Sequence, residues 1–306
     1  MRLGKLAKAK VKPFLVFGVI NLALLGFILM AWRAIGNFRP AVPATGPKTA
    51  TQSGFSTAIE EAEKKAEESR RLAEEEQRKV AETRQFIAQY GPCKNIPILM
   101  YHHVGDNPPS GAWLYVRPAI FAQQMDFLIG KGYTAITLPE VMAGLAGGAL
   151  PAKPVVITFD DGYADIFTQA YPILHQKNLK ATVFIITQLL EGSDYMTWEQ
   201  LREMNSSGIM TIGNHTLSHR ALPKLTEEQV RDEIVSAREI LNSHLGINVN
   251  TFAYPFGNAS PTATKILGEI GTAAAVTASR GLACAKLPFA LPRIRIGNGS
   301  LSSYGL

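Results

Sequence analysis

The sequence predicts an α/β domain built on a parallel sheet, either open or closed into a barrel. Residues 155–159 are all β-branched or aromatic and follow a proline, a pattern typical of a strand covered on both faces. Further short apolar runs alternate with segments of helical period, the order that indicates parallel strands joined by helices. Polar residues follow several strand ends, where the active sites of such sheets gather.

The elements that support this class begin after Cys93. The apolar runs predict strands at residues 96–101, 155–159, 181–186, 209–213 and 251–254, and the helical spacing predicts helices at 117–131 and 165–177. Thr197 with Gln200 and Thr226 with Gln229 each match a capping box, which predicts two more helix starts.

The formal net charge of +6 is unevenly distributed along the 306 residues. Residues 1–54 carry eight basic and no acidic side chains, residues 55–90 carry a charge of −2, and the remainder is neutral. Because the basic excess lies at the N-terminus, the main domain offers no electrostatic signal for nucleic acid, and we predict no nucleic-acid partner.

A run of twenty uncharged residues, 13–32, is long enough to cross a bilayer as a helix. Five basic residues precede it and three follow it closely, which predicts a cytoplasmic N-terminus and a main domain outside the cytoplasm, periplasmic or extracellular. A cleaved signal peptide is the alternative, but its apolar region normally spans only about 7–15 residues. We therefore predict a single-pass membrane protein with a retained anchor.

The segments around this anchor differ in composition. Residues 1–12 form a basic tail, and residues 33–54, rich in Pro, Gly, Ala, Ser and Thr, are typical of a flexible tether. Residues 55–92 predict a long charged helical stalk, supported by acid-to-base pairs four residues apart such as Glu75 with Lys79. Its apolar positions are mostly alanine, so we expect a solvated stalk with at most weak coiled-coil self-association. Residues 93–306 form the main domain, and Cys93 and Cys284 could pair there in an oxidising compartment.

Two short segments carry the chemistry. Asp160 and Asp161 follow the buried strand at 155–159, and adjacent carboxylates repel each other unless a cation or strong donors stabilise them. His215 and His219 are four residues apart after another apolar run, so both rings can reach one point. Two histidines and one carboxylate, with a position left open, form a hydrolytic zinc arrangement.

These segments, residues 158–162 (Thr-Phe-Asp-Asp-Gly) and 214–219 (Asn-His-Thr-Leu-Ser-His), resemble the first two motifs of the polysaccharide deacetylase family, carbohydrate esterase family 4. The similarity covers about residues 95–297. It implies a deformed (β/α) barrel of the polysaccharide deacetylase type and metal-dependent removal of N-acetyl or O-acetyl groups from sugar polymers.

Position by position, the resemblance implies roles for individual residues. Asp161, His215 and His219 would hold one divalent metal ion, with zinc expected and cobalt or nickel as alternatives. Asp160 would be the general base, taking a proton from a water whose pKa the metal lowers. The third motif, residues 252–257, implies oxyanion and substrate contacts from Phe256 and Tyr254, with the Phe256 backbone amide as the donor.

The chain departs from the family pattern in two places. The family usually has an arginine near Ala253 and a Leu-x-His motif near the C-terminus, but no histidine follows His244 here. Residues 98–104 resemble the early segment of the permuted poly-N-acetylglucosamine deacetylase branch, which implies His102 as the general acid. Arg293 is then the candidate for orienting Asp160, with Arg295 as its rival.

The function predicted from these residues is removal of N-acetyl groups from N-acetylglucosamine units of an envelope or exported polysaccharide. Two alternatives stay open: a catalytically silent carbohydrate-binding or scaffold protein, and an O-acetyl esterase acting on acetylated glycans. Trp113 and Tyr115 are candidates for stacking on sugar rings, although aromatic core residues are commoner.

Overall fold

The computed structural model describes residues 52–106 and 112–306. A long helix, α1 (Gln52–Tyr90), covers the predicted stalk except for its last two residues and begins three residues before the expected start. Glu75 and Lys79 form one of the predicted ion pairs, at 2.6 Å. The chain divides into two compact units, and the boundary between Leu72 and Ala73 lies inside this helix.

The predicted basic tail (1–12), membrane anchor (13–32) and most of the tether (33–54) lie outside the described residues. Among the helices that the structure does describe, none is both long and apolar enough to cross a membrane. The anchor therefore stays a prediction.

The unit from Ala73 to Leu306 contains alternating strands and helices, as the sequence predicts. The strands are β1 (Cys93–Lys94), β2 (Ile98–Tyr101), β3 (His103–Val104), β4 (Tyr115–Val116), β5 (Thr134–Ala135), β6 (Pro154–Phe159), β7 (Ala181–Ile185), β8 (Met210–Asn214), β9 (Thr251–Ala253), β10 (Ala274–Val276), β11 (Ala283–Cys284) and β12 (Ile294–Arg295). The remaining α-helices are α2 (Pro118–Gly130), α3 (Leu138–Leu145), α4 (Tyr171–Lys177), α5 (Trp198–Ser206), α6 (Glu227–Leu245) and α7 (Pro261–Glu269).

The main sheet is parallel and curled. Its strands lie in the order β10, β9, β8, β7, β6, β2, β12, and β5 pairs with the start of β6. Leu291, shortly before β12 at one edge, forms a parallel bridge with Val276 of β10 at the other edge. The sheet therefore bends towards closure, which agrees with the predicted barrel-like α/β class.

Strand β6 is buried on both faces, as its sequence predicts. Val155, Ile157 and Phe159 pack in one hydrophobic cluster, while Val156 packs in a second cluster on the opposite face. Alternate side chains of a strand point to opposite faces, so a fully apolar strand needs cover on both sides. The strand thus ends inside the domain and delivers Asp160 and Asp161 to a buried position.

The predicted helix at 165–177 is divided. A π-helical turn (Ile166–Ala170) precedes α4, in which Pro172 is an early residue. Pro172 lacks the N–H that a continuous α-helix would bond to the carbonyl of Thr168, so a wider turn occurs here.

Cys93 and Cys284 form a disulfide, which decides a pairing that the sequence left open. The two cysteines are opposite each other where β1 pairs antiparallel with β11. This bond joins the chain just after α1 to a segment 191 residues further on.

Candidate functional site

Residues that follow the ends of four parallel strands meet around one cavity of about 350 Å³. That volume falls within the range of about 300–1,000 Å³ that small-molecule sites occupy. The predicted site residues that line it are His102, Asp160, Asp161, His215, His219, Phe256 and Arg293. Seven of the eight predicted residues therefore share one cavity, and Tyr254 is the exception.

Asp161, His215 and His219 have the arrangement of a metal site. Their ligand atoms lie within 4.8 Å of one another, and Oδ1 of Asp161 is 3.3 Å from Nε2 of His215 and 3.5 Å from Nε2 of His219. Zinc bonds of about 2.0–2.1 Å in a tetrahedron separate ligand atoms by about 3.3–3.4 Å. Oδ1 of Asp161 is also buried without a hydrogen-bond partner, so these residues fit a divalent ion.

The charges around this cluster favour a cation. Burial opposes a charged imidazole, but the neighbouring Asp161 and Asp160 outweigh it and raise the pKa of His215. Burial likewise opposes a charged Asp161, yet His215 and the other histidines hold the pKa of that carboxyl well below its usual range. The site therefore stabilises positive charge beside Asp161, and a metal ion would compete with protons for it.

His215 is oriented by a backbone contact. Its Nδ1 lies 2.8 Å from the carbonyl oxygen of Ala253 in β9, so Nδ1–H donates and Nε2 is left to face Asp161. Such a bond from the remote ring nitrogen fixes the tautomer and the ring plane of a metal ligand.

The loop between the two histidines is anchored to α6 by a buried carboxylate. Glu233 accepts hydrogen bonds from the backbone N–H of Ser218, at 2.9 Å, and from the Ser218 hydroxyl. The carbonyl of Glu233 also accepts from the N–H of Leu217 at 2.9 Å. These contacts hold the backbone between the ligands, so Glu233 positions His219. The sequence carries no local signal for this role of Glu233, because only the tertiary fold places α6 beside the loop.

Asp160 is held by Arg293 in a bidentate pair. The guanidinium donates to both carboxylate oxygens, at 2.6 and 2.7 Å, and Arg293 is 1% exposed. Arg293 also donates from Nε to the carbonyl of Thr277 at 2.8 Å. Burial alone would raise the pKa of Asp160, but Arg293 outweighs it and lowers that pKa. Asp160 is therefore ionised and fixed in orientation beside the metal cluster.

His102 lines the same cavity, and the pKa of its imidazole is unusually low. Burial lowers the pKa of His102 to about 4, although Asp160 and Asp161 act in the opposite direction. At neutral pH the imidazole is therefore neutral, whereas a general acid must carry a proton. If His102 donates to a leaving amine, it has to gain that proton within the catalytic cycle.

Phe256 and Tyr254, the two residues of the predicted oxyanion and substrate set, lie in different surroundings. Phe256 is 60% exposed, lines the cavity, and places its ring 4.7 Å from that of His219. Tyr254 is fully buried, and its hydroxyl donates to the carbonyl of Phe289 at 2.9 Å. The Tyr254 side chain thus packs in the core, because the strand turns it away from the cavity, and it offers no substrate contact.

Backbone strain is concentrated at this site. Four of the six non-glycine residues with positive φ in the described chain belong to it, namely Asp161, Thr216, His219 and Phe256, with φ between 60° and 75°. Left-handed conformations of such residues are unfavourable and persist where the surrounding structure enforces them. At His219 the enforcing contacts include a bond from its N–H to Oγ1 of Thr216 at 3.0 Å.

Comparison with known proteins places this arrangement in a family. The family model for polysaccharide deacetylase matches residues 147–275. YxkH of Bacillus subtilis, assigned by its name to the polysaccharide deacetylases, is 33% identical over 226 residues, which are 73% of this chain and 79% of YxkH. The chain belongs to the polysaccharide deacetylase family. Membership confirms the resemblance that the motifs predicted, and with it an enzyme of the polysaccharide deacetylase class.

Two further relatives show how far the similarity of this deacetylase extends. One is the Streptococcus pyogenes deacetylase PplD, whose structure was solved in complex with acetate. Its sequence is 32% identical to this chain, and the two structures match with a TM-score of 0.63 over 68% of this chain and 97% of PplD. The poly-beta-1,6-N-acetyl-D-glucosamine N-deacetylase of Escherichia coli (strain K12) is 25% identical over 243 residues, 65% of this chain. The chain spans only 36% of the length of that E. coli protein.

Proposed function

We propose that this chain removes N-acetyl groups from N-acetylglucosamine units of an envelope or exported polysaccharide and that it needs one divalent metal ion, zinc in the first instance. The observation that carries the proposal is the convergence of Asp161, His215 and His219 beside the Arg293-bound Asp160. Similarity to relatives named as poly-N-acetylglucosamine deacetylases supports the choice of substrate.

In this proposal each residue has a defined task. Asp161, His215 and His219 hold the ion, which when bound acidifies water and polarises the acetamide carbonyl. Asp160 accepts a proton from the attacking water, and Arg293 keeps that carboxylate aimed at it. The backbone N–H of Phe256 donates to the carbonyl oxygen as negative charge develops there. His102 gains the proton that Asp160 has taken from the water and delivers it to the departing amine nitrogen.

We also propose that the domain works outside the cytoplasm, tethered by the uncharged segment 13–32. The Cys93–Cys284 disulfide supports this location, because such bonds persist in oxidising compartments.

Substitutions separate metal binding from proton transfer. Asp161→Ala or His215→Ala should abolish both bound zinc and acetate release from N-acetylglucosamine oligomers, since each removes a ligand. Asp160→Asn and His102→Gln should retain zinc but reduce kcat about 10²- to 10⁴-fold, since each removes a proton-transfer group. Metal content by elemental analysis and acetate release with and without chelator provide the two measurements.

His175→Gln, on α4 away from the cavity, is the matched histidine control and should keep both properties. A metal-free Asp161→Ala enzyme with full activity would refute the metal requirement. Normal acetate release by His102→Gln would remove His102 from the reaction. Acetate release from ester but never from amide substrates would favour the O-acetyl esterase alternative.

A further inference from the structure

Arg295 is an exposed residue that lines the cavity and plays no part in the reaction described above. It is the last residue of β12 and is in register with Met100 of β2, two residues before His102. Both Arg295 and Met100 line the cavity. The position places a permanent positive charge in the exposed part of the cavity lining.

The guanidinium of Arg295 is stacked on an aromatic ring. Its central carbon lies 4.4 Å from the centroid of Trp113, whose side chain is 61% exposed and also lines the cavity. Cation–π contact holds an arginine by its face and leaves the N–H donors, which lie in the guanidinium plane, free to bind a ligand.

Within residues 52–106 and 112–306, the Arg295 side chain donates no hydrogen bond and forms no ion pair. Both acids of the cavity lie closer to other groups that balance their charge: Asp160 bonds to Arg293, and Oδ1 of Asp161 lies 3.3 and 3.5 Å from the two histidines. The cavity therefore contains one buried arginine that is neutralised and one exposed arginine that is not.

We propose that Arg295, held by Trp113, is a subsite for an anionic oxygen group on the polymer, a carboxylate or a phosphate, next to the sugar that is deacetylated. A guanidinium binds either group through two parallel N–H···O bonds. This inference rests on the proposed function and narrows it: the preferred substrate is an N-acetylglucosamine polymer that carries negative charge rather than a neutral one.

The test measures binding of an oligosaccharide and therefore does not require catalytic turnover. The probe is a tetrasaccharide of alternating N-acetylglucosamine and N-acetylmuramic acid, and its control is the same compound with each carboxylate converted to a carboxamide. Calorimetry of the full chain in detergent, with chelator present, should show binding of the acid about tenfold or more tighter than of the amide. Raising the salt concentration should reduce that preference.

Variants assign the preference to Arg295. Arg295→Gln should abolish it, Arg295→Lys should keep part of it through charge alone, and Trp113→Ala should weaken it. Arg84→Gln, on α1, removes the same charge outside the cavity and should leave the preference intact. Equal or absent binding of the acid and amide probes by the wild type overturns the proposal, as does a preference that survives Arg295→Gln.

A third probe, an N-acetylglucosamine tetrasaccharide carrying a phosphate monoester, identifies the source of the anion. Tighter binding of either the carboxylate or the phosphate probe, dependent on Arg295, supports the subsite and names its ligand class. Acetate release from neutral N-acetylglucosamine oligomers in the presence of zinc tests the proposed function separately, so the two hypotheses can fail independently.

Discussion

At the scale of single residues, the site contains a buried ion pair in which each charge is stabilised by the other. Arg293 and Asp160 are 1% and 3% exposed, and the guanidinium bonds to both carboxylate oxygens. Removing one partner of such a pair leaves an uncompensated buried charge, which costs about 3–5 kcal/mol. Arg293 therefore matters to the fold as well as to the orientation of Asp160.

The lowered pKa of His102 predicts that the stability of the folded domain depends on pH. Burial lowers its pKa to about 4 in the folded chain, whereas the pKa of an unfolded histidine is about 6.5. Between these pH values the unfolded chain binds the extra proton, so the contribution of His102 to the free energy of unfolding is lost as pH falls. From pH 7 to pH 4 we expect the wild type to lose up to about 3 kcal/mol more than His102→Gln, which does not titrate.

Urea unfolding of both proteins at each pH, with chelator present, measures this difference. The comparison cancels the titration of the other acids and histidines, which both proteins share. Parallel stability curves for the two proteins would show that His102 keeps an ordinary pKa.

At the scale of elements, β8 and the loop after it determine where the histidines lie. Gly213 in β8 is packed beneath the ring of Phe184 in β7, and a Cβ at Gly213 would lie 2.4 Å from Cδ1 of that ring and 2.9 Å from Oγ1 of Thr251. The strand therefore requires glycine for space, two residues before His215.

Gly213→Ala should destabilise the domain by about 1–3 kcal/mol, because the core has to expand around the added methyl group. The shift of β8 should also weaken zinc binding, as measured by a zinc-competition titration alongside urea unfolding. Gly130→Ala is the matched control, since a Cβ there meets nothing within 4 Å, and it should change stability by less than about 1 kcal/mol. Unchanged stability in Gly213→Ala would mean that Phe184 moves aside freely.

The sequence predicted some elements better than others. The capping boxes at Thr197 and Thr226 are present as predicted, because a capping box is a contact within one helical turn. Strands β10 and β12 were not predicted. β10 is the short run Ala-Ala-Val and β12 is two residues long, so their strand conformation depends on pairing with β9 and β2.

At the scale of the whole molecule, the chain after α1 is joined covalently to a distant part of the domain. The Cys93–Cys284 disulfide closes a loop with a sequence separation of 191 residues. Loop-closure entropy makes such a long-range bond worth about 5 kcal/mol, mainly by restricting the unfolded chain.

The variant Cys93→Ala/Cys284→Ala should lower Tm by roughly 10–15 °C in a thermal melt. A reducing agent should lower the Tm of the wild type towards that of the variant and should leave the variant unchanged, because the chain contains only two cysteines. Equal Tm values for the oxidised wild type and the variant would contradict a stabilising role.

Short-range sequence pattern was enough to predict the parts of the site whose spacing is local. Asp160 and Asp161 directly follow an apolar strand, and His215 and His219 are four residues apart, so their grouping followed from this pattern and from family resemblance. Long-range packing was needed to show that Arg293 pairs with Asp160, that Glu233 holds the histidine loop and that Tyr254 is buried in the core. These hydrogen-bonded partners are separated by 15 to 133 positions in the sequence, so they meet only when the curled sheet and its helices bring them together.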